Sequence, residues 1–169
     1  MGQREEEGNE SRIRRSFQDK LADTPDKARR LLILRACAKV KRDWVEPLLW
    51  ESLDDPCEEI RDFVVRALCE MDRLDLAGAE ARLRRPPWYA RSAVLRVLGT
   101  KKMAEAVSII EPTLGDDNVD VRREAAAALG EIGGKSSLRL LLRLKKDSSP
   151  HVRLTAEEGI LKISTLRFS

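Results

Sequence analysis

The apolar residues of this chain recur at helical spacing, in short segments that come in pairs. Within residues 102–133, Val107, Ile110 and Leu114 fall on one face of a first helix. The second segment keeps the i, i+4, i+7, i+8, i+11 spacing of a buried helix face, with Val121, Ala125, Ala128, Leu129 and Ile132. No segment alternates apolar and polar residues with the period of two that a half-buried strand shows. The pattern therefore predicts an all-α fold.

These helix pairs repeat along the chain. An arginine recurs near the start of each second helix at spacings of 30 or 31 residues, at Arg30, Arg61, Arg91, Arg122 and Arg153. A leucine column keeps nearly the same period, at Leu21, Leu53, Leu83, Leu114 and Leu144. A fixed period of this length is typical of a solenoid. We therefore predict about five antiparallel helix pairs, at 11–40, 44–72, 75–99, 102–133 and 136–163. They should form a single repeat domain over 11–169, after a disordered acidic tail over 1–10.

One unit carries a family signature. The run Leu114-Gly115-Asp116-Asp117 is followed by Val121-Arg122, Ala125-Ala126, Ala128-Leu129-Gly130 and Ile132-Gly133. This unit resembles the HEAT-repeat family, and in particular the short bacterial HEAT-like repeats related to phycobilisome lyases. The resemblance extends over about residues 11–163. It implies a right-handed α-solenoid, an architecture that mostly offers an extended binding surface.

The resemblance also implies a structural role for the column arginines. In the family, an aspartate near the turn and an arginine early in the second helix resemble a ladder of stacked ion pairs. Here three aspartates lie six residues before their arginines: Asp55 before Arg61, Asp116 before Arg122, and Asp147 before Arg153. Arg85 occupies the aspartate position before Arg91. We therefore expect Arg91 to remain partly solvated or to pair with an acid of the preceding unit, such as Glu58, Glu59 or Asp62.

Charge and composition narrow the class of protein. The 169 residues carry 32 Lys plus Arg and 29 Asp plus Glu, a net charge of +3, so the electrostatic footprint for nucleic acid is weak. No apolar run approaches the length needed to cross a bilayer, and the acidic, polar N-terminus is unlike a secretory signal. The three cysteines are odd in number and lack CxxC spacing, which disfavours a disulfide framework or a zinc site. We expect a cytoplasmic protein.

The sequence offers little material for catalysis. It contains one histidine, His151, and its neighbours suggest no triad. Deoxyhypusine hydroxylases, which are HEAT-like enzymes, use His-Glu pairs in several repeats to hold iron, and this sequence has no His-Glu dipeptide. We therefore expect no enzyme activity, no metal and no cofactor.

A candidate binding surface appears on the second helices. The position five residues after the column arginine should point away from the buried face, and it reads Arg35, Arg66, Arg96, Ala127 and Glu158. We predict that the three arginines form a basic stripe on the concave face and bind an acidic partner segment, because guanidinium groups grip carboxylates with two parallel hydrogen bonds. Trp88 and Tyr89 are a second, weaker candidate contact.

The main interpretation is a non-catalytic scaffold or adaptor that binds a protein or peptide on its concave face. Two alternatives stay open. One is nucleic-acid backbone binding, helped by Lys101-Lys102 and Lys145-Lys146, although the balanced charge argues against it. The other is an accessory subunit of a bilin-lyase-like complex. The sequence also leaves open whether residues 164–169 or another molecule cover the last repeat.

Overall fold

The structure, a computed structural model, describes residues 2–40, 42–84 and 87–165, with side chains from residue 8 onward. Within these ranges all regular structure is helical. The α-helices are α1 (Gly2–Ala22), α2 (Lys27–Ala38), α3 (Val45–Ser52), α4 (Glu58–Glu70), α5 (Leu76–Leu83), α6 (Trp88–Thr100), α7 (Val107–Ile110), α8 (Val119–Ile132), α9 (Gly134–Leu144) and α10 (Pro150–Thr165). Short 3₁₀ segments at Ala104–Ala106 and Glu111–Gly115 flank α7. The prediction of an all-α repeat fold built from helix pairs is confirmed.

The chain divides into two compact units, Met1–Leu74 and Asp75–Ser169. The first contains α1 to α4 and the second contains α5 to α10. The single repeat domain over 11–169 stays a prediction. A repeat period reports the register of the helices, whereas a division into compact units depends on how densely they pack.

The N-terminal segment differs from the sequence prediction. Helix α1 begins at Gly2, so most of the expected disordered tail over 1–10 is the first part of a helix of 21 residues. The segment is polar, but Gln, Arg and Glu are good helix formers, and this local preference agrees with the helical backbone. Further along α1, Phe17 stacks on Trp44 with ring centroids 5.2 Å apart. That contact attaches the helix to its unit.

The core of the first unit lies between α2, α3 and α4. Its largest fully buried side chains are Leu34, Leu48, Leu49, Leu53, Ile60 and Leu68. They come from all three helices and the turn after α3. Because α2 and α4 pack against each other, equivalent positions of two consecutive repeats lie on neighbouring second helices.

In the second unit, the second helices α6, α8 and α10 pack in sequence, and glycine permits their close approach. A Cβ atom on Gly99 would lie 2.7 Å from the Cα atom of Ala128, and one on Gly130 would lie 2.8 Å from that of Gly159. Both distances are shorter than real Cβ contacts. The close packing fixes which face of each second helix meets the next repeat.

Candidate functional site

Two of the three predicted binding arginines are exposed on the first unit. Arg35 on α2 and Arg66 on α4 occupy the same repeat position on helices that pack together. The guanidinium of Arg35 lies over the ring of Phe63, 5.9 Å from its centroid. Among the described residues, Arg66 has no hydrogen bond or ion pair. Both side chains therefore present cationic groups to solvent.

A shallow groove of about 330 Å³ runs beside Arg35 between α2 and α4. Its walls include Leu31 and the exposed Leu32, whose relative accessibility is 68%. Lys27 and Glu59 also line the groove, and they form an ion pair at 3.0 Å across the two helices. We call the surface formed by Arg35, Arg66, Leu32 and this ion pair the α2–α4 surface.

Arg96, the third predicted member of the stripe, has a different environment. It lies on α6 in the second unit and is half-buried. Burial raises the pKa of Glu124 on α8, while the charge of Arg96 lowers it. Arg96 thus neighbours an acid of its own unit, and it is no longer grouped with the α2–α4 surface.

Trp88 and Tyr89 open helix α6 in the second unit. Their rings meet edge to face, with centroids 5.9 Å apart. Trp88 remains 44% exposed, while Tyr89 is half-buried. An exposed tryptophan supported by a neighbouring ring can contribute apolar area to a partner.

The column arginines link consecutive repeats. In the first unit, Arg30 Nε and Nη2 donate to the two carboxylate oxygens of Asp55 at 2.7 and 3.1 Å. Its Nη1 donates to the carbonyls of Thr24 and Pro25 at 3.0 and 2.7 Å. Arg61 Nη1 likewise donates to the carbonyls of Asp55 and Pro56, each at 2.8 Å. The arginine satisfies carbonyl groups of its own turn and reaches forward to the aspartate of the next turn.

The second unit repeats this geometry. Arg91 grips Asp116 at 2.8 and 2.9 Å, and Arg122 grips Asp147 at 2.8 and 3.0 Å. The arginine–aspartate pairing therefore runs to the aspartate 25 residues ahead and not to the one six residues before. For Arg91 this partner lies in the following repeat, whereas we expected an acid of the preceding repeat, such as Glu58, Glu59 or Asp62. Arg85 lies outside the described residues.

Each of these aspartates is fixed by its own turn. The Oδ1 atom accepts the backbone N–H two residues ahead, from Cys57 for Asp55, Asn118 for Asp116 and Ser149 for Asp147, at 2.8 to 2.9 Å. The hydrogen bond from Arg122 is the main reason that the pKa of Asp147 lies below its ordinary value. We call a turn in which the aspartate Oδ1 accepts the backbone N–H two residues ahead an Asp turn.

Arg153 shows only half of the pattern. Its Nη1 donates to the carbonyls of Asp147 and Ser148 at 2.9 and 3.0 Å, as the Nη1 atoms of Arg30, Arg61 and Arg122 do in their own turns. Within the described part of the chain, its Nε and Nη2 atoms have no acceptor. Residues 166–169, which include most of the candidate C-terminal cover, lie outside the described residues.

The other residues that could take part in catalysis or metal binding do not come together among the described residues. His151 is exposed at the start of α10. Among the described residues, no three His, Cys, Asp or Glu side chains lie close enough together to hold a metal ion. In that part of the chain no helix combines the length and the apolar character needed to cross a membrane.

Sequence reasoning missed the partners of the column-plus-five arginines. The position two residues after the column arginine in the next repeat faces them: Phe63 meets Arg35, and Glu124 interacts with Arg96. The sequence contained this signal as a further repeat column, two residues after each column arginine. It could be interpreted only once the lateral offset between neighbouring helices was known.

Comparisons with known proteins agree with this architecture. The family model of HEAT repeats matches residues 76–160. No curated protein is similar enough to the chain to match it. Among solved structures, human deoxyhypusine hydroxylase in complex with glycerol matches with a TM-score of 0.59 and 20% identity, over 80% of this chain and 62% of that one. The match thus spans less than two thirds of the hydroxylase.

Two structures of engineered proteins are also similar. An engineered protein matches with a TM-score of 0.50 and 18% identity, over 86% of this chain and 77% of that chain. A designed armadillo repeat protein in complex with the peptide (KR)4 matches with a TM-score of 0.48 and 16% identity, over 88% and 87% of the two chains. At 18% identity, the similarity to the engineered protein shows the fold alone.

The match to deoxyhypusine hydroxylase corrects one prediction. The prediction from the sequence that the chain is not an enzyme is contradicted, because an enzyme shares the fold. The physical reason is that a helical repeat stack is a scaffold, and scaffold geometry does not determine whether the side chains placed on it react.

Proposed function

Because the chain belongs to the HEAT-repeat family, we propose that it is a scaffold or adaptor whose α2–α4 surface binds an acidic segment of a protein partner. The observation that carries the proposal is the exposure of Arg35 and Arg66 at the same repeat position on two adjacent helices. HEAT-type repeats use such helix surfaces as extended binding faces.

The chemistry of the two arginines favours carboxylates. A guanidinium presents parallel N–H donors that match the two oxygens of Asp or Glu, and such bidentate pairs are stronger and more directional than contacts from lysine. Stacking over Phe63 supports the plane of Arg35 and reduces the entropy lost on binding. Arg66 supplies a second cation on the neighbouring helix.

The groove beside Arg35 adds an apolar contact. Leu32 is 68% exposed and lies within reach of a side chain seated in the groove. An acidic segment with an adjacent apolar residue would therefore match the surface in both charge and hydrophobicity. Trp88 and Tyr89 are proposed as a separate, weaker contact on the second unit.

A folded nucleic acid fits this surface less well. Lys27 is paired with Glu59 inside the groove, so part of its charge is already neutralised. A polyanion usually requires a broad basic patch, and the whole chain has a net charge of only +3. The limited basic surface is better suited to a short acidic segment.

The proposal can be tested by partner capture from cells that produce the protein. We compare the wild type with Arg35→Glu/Arg66→Glu and with the matched control Arg12→Glu/Arg15→Glu, which makes the same charge change on exposed positions of α1 in the same unit. A protein captured by the wild type and the control, but lost with the first variant, supports the α2–α4 surface. Equal capture by all three proteins contradicts it.

A further inference from the structure

The guanidinium of Arg153 is held in the same way as those of Arg30, Arg61 and Arg122. Its Nη1 hydrogen bonds to the carbonyls of Asp147 and Ser148 repeat those of Arg122 Nη1 to the carbonyls of Asp116 and Asp117, which measure 2.8 and 3.4 Å. Because these bonds orient the planar group, its opposite edge points in a defined direction. Arg153 is half-buried and thus conformationally restricted.

That opposite edge has a known occupant elsewhere in this chain. In Arg30, Arg91 and Arg122, Nε and Nη2 bind the two carboxylate oxygens of an aspartate, at distances between 2.7 and 3.1 Å. In Arg153 the same two atoms have no acceptor among the described residues. The site is therefore preorganised for a carboxylate, which lowers the entropic cost of binding.

The surrounding face of α10 is partly apolar. Leu154 and Leu161 are 56% and 66% exposed. Leu161 occupies the repeat position of Gly99 and Gly130, which meet the following helix. The face that carries Arg153 and Leu161 thus corresponds to the face through which α6 and α8 contact their neighbours. We call it the α10 face.

We propose that the α10 face is a docking site for an Asp turn of another polypeptide segment, whose carboxylate binds the Nε and Nη2 edge of Arg153. The three internal Asp turns define the chemistry of this occupant. Leu161 distinguishes the docking from simple continuation of the stack, because a leucine at the glycine position excludes a helix as close as those that contact Gly99 and Gly130. The segment that carries the Asp turn therefore sits farther out, against Leu154 and Leu161.

This inference concerns the second unit and does not depend on the α2–α4 surface. Its first test is NMR of the arginine Nε–H groups in the free, full chain. We expect slow solvent exchange for Arg30, Arg91 and Arg122, whose Nε–H groups donate to aspartates, and fast exchange for Arg153. If Arg153 Nε–H is protected as strongly as that of Arg122, its edge is occupied within the chain and the proposal is overturned.

The second test uses a synthetic peptide of residues 144–155, which carries the Asp147 turn, as the probe. Titration into the full chain should shift the Nε–H signal of Arg153 and leave that of Arg122 unchanged. The same peptide with Asp147→Asn should bind roughly tenfold more weakly or worse, since a charge-assisted bidentate contact is lost. This control leaves the protein itself unaltered.

Variants of the protein complete the test. Arg153→Lys keeps the charge but lacks the two-donor edge, and it should weaken peptide binding by a similar factor. The matched control Arg123→Lys alters an exposed arginine of α8 and should bind like the wild type. No shift at the highest soluble peptide concentration, equal binding of the Asp and Asn peptides, or full binding by Arg153→Lys would each overturn the proposal.

Discussion

Arg122 should be a major source of stability in the second unit, and its replacement by alanine measures the arginine–aspartate ladder. The substitution removes two hydrogen bonds to Asp147, at 2.8 and 3.0 Å, and one to the carbonyl of Asp116 at 2.8 Å. The fourth contact, 3.4 Å to the carbonyl of Asp117, is long and contributes little. The Arg122→Ala substitution also leaves the Asp147 carboxylate without its cation.

The burial of the pair sets the size of the effect. The side chains of Arg122 and Asp147 are 14% and 7% exposed. Exposed ion pairs contribute about 0–1 kcal/mol, and removal of one partner from a fully buried pair costs about 3–5 kcal/mol. This pair is close to the buried limit, but Asp147 keeps its hydrogen bond from the Ser149 N–H. We therefore expect Arg122→Ala to lower the free energy of unfolding by about 2–3 kcal/mol.

The assay is urea unfolding followed by circular dichroism, with amide hydrogen exchange of α8 and α10 to locate the change. At an m-value of about 1–3 kcal/mol/M, the expected loss shifts the midpoint by roughly 0.7–3 M. Arg123→Ala is the adjacent control, because Arg123 is 45% exposed and makes only a surface contact to Asp120 at 3.5 Å. Identical unfolding midpoints for the two variants would show that the contacts of Arg122 do not stabilise the unit.

Three further predictions follow from the second unit. Asp147 has a lowered pKa in the folded state, mainly through its hydrogen bond from Arg122, so its stabilising effect is complete above the unfolded pKa of about 3.9 and is lost as the pH falls through the folded pKa. The difference in unfolding free energy between the wild type and Asp147→Asn should therefore stay constant from about pH 7 to 5 and shrink at lower pH. A difference that persists unchanged to pH 2 would count against this prediction. Glu124 has a raised pKa because of burial, so its charged form lowers the free energy of unfolding above the folded pKa. Glu124→Gln should therefore unfold at a higher urea concentration than the wild type at pH 7, and this advantage should disappear below about pH 4. A variant that is less stable than the wild type at pH 7 would contradict the prediction. Gly130→Ala places a Cβ atom 2.8 Å from the Gly159 Cα and should lower the free energy of unfolding, measured with urea, by about 1–3 kcal/mol. Gly115→Ala, which has open space around it, should change that free energy by less than about 0.5 kcal/mol. Equal losses for the two variants would show that the close helix approach is not the cause.

The sequence predicted the helices well because the apolar period and the arginine column both report register. It placed Arg30, Arg91 and Arg122 near the turns between repeats. It did not predict that each would reach the aspartate 25 residues ahead, because the sequence spacing assigned each aspartate to the arginine six residues after it: Asp55 to Arg61, Asp116 to Arg122 and Asp147 to Arg153. The Oδ1 hydrogen bond of the Asp turn instead aims the carboxylate at the preceding repeat.

The proposed binding surface was harder to predict. Arg35 and Arg66 are exposed, but Arg96 is half-buried and interacts with Glu124. Exposure of one position depends on the residue opposite it on the neighbouring helix, and a helical wheel treats each helix alone. The same limitation explains why the sequence assigned Arg153 only a structural role, although its carboxylate-binding edge has no acceptor in the described part of the chain.

The most direct test of the account is the affinity of the α2–α4 surface for an acidic polypeptide. Fluorescence anisotropy would follow a labelled glutamate-rich peptide that carries one leucine, titrated with the wild type, Arg35→Glu/Arg66→Glu and Arg12→Glu/Arg15→Glu at fixed salt. The wild type and the α1 control should bind the peptide, and the double variant of the α2–α4 surface should not. Equal affinities for all three proteins, or tighter binding of a DNA duplex than of the peptide by the wild type, would contradict it.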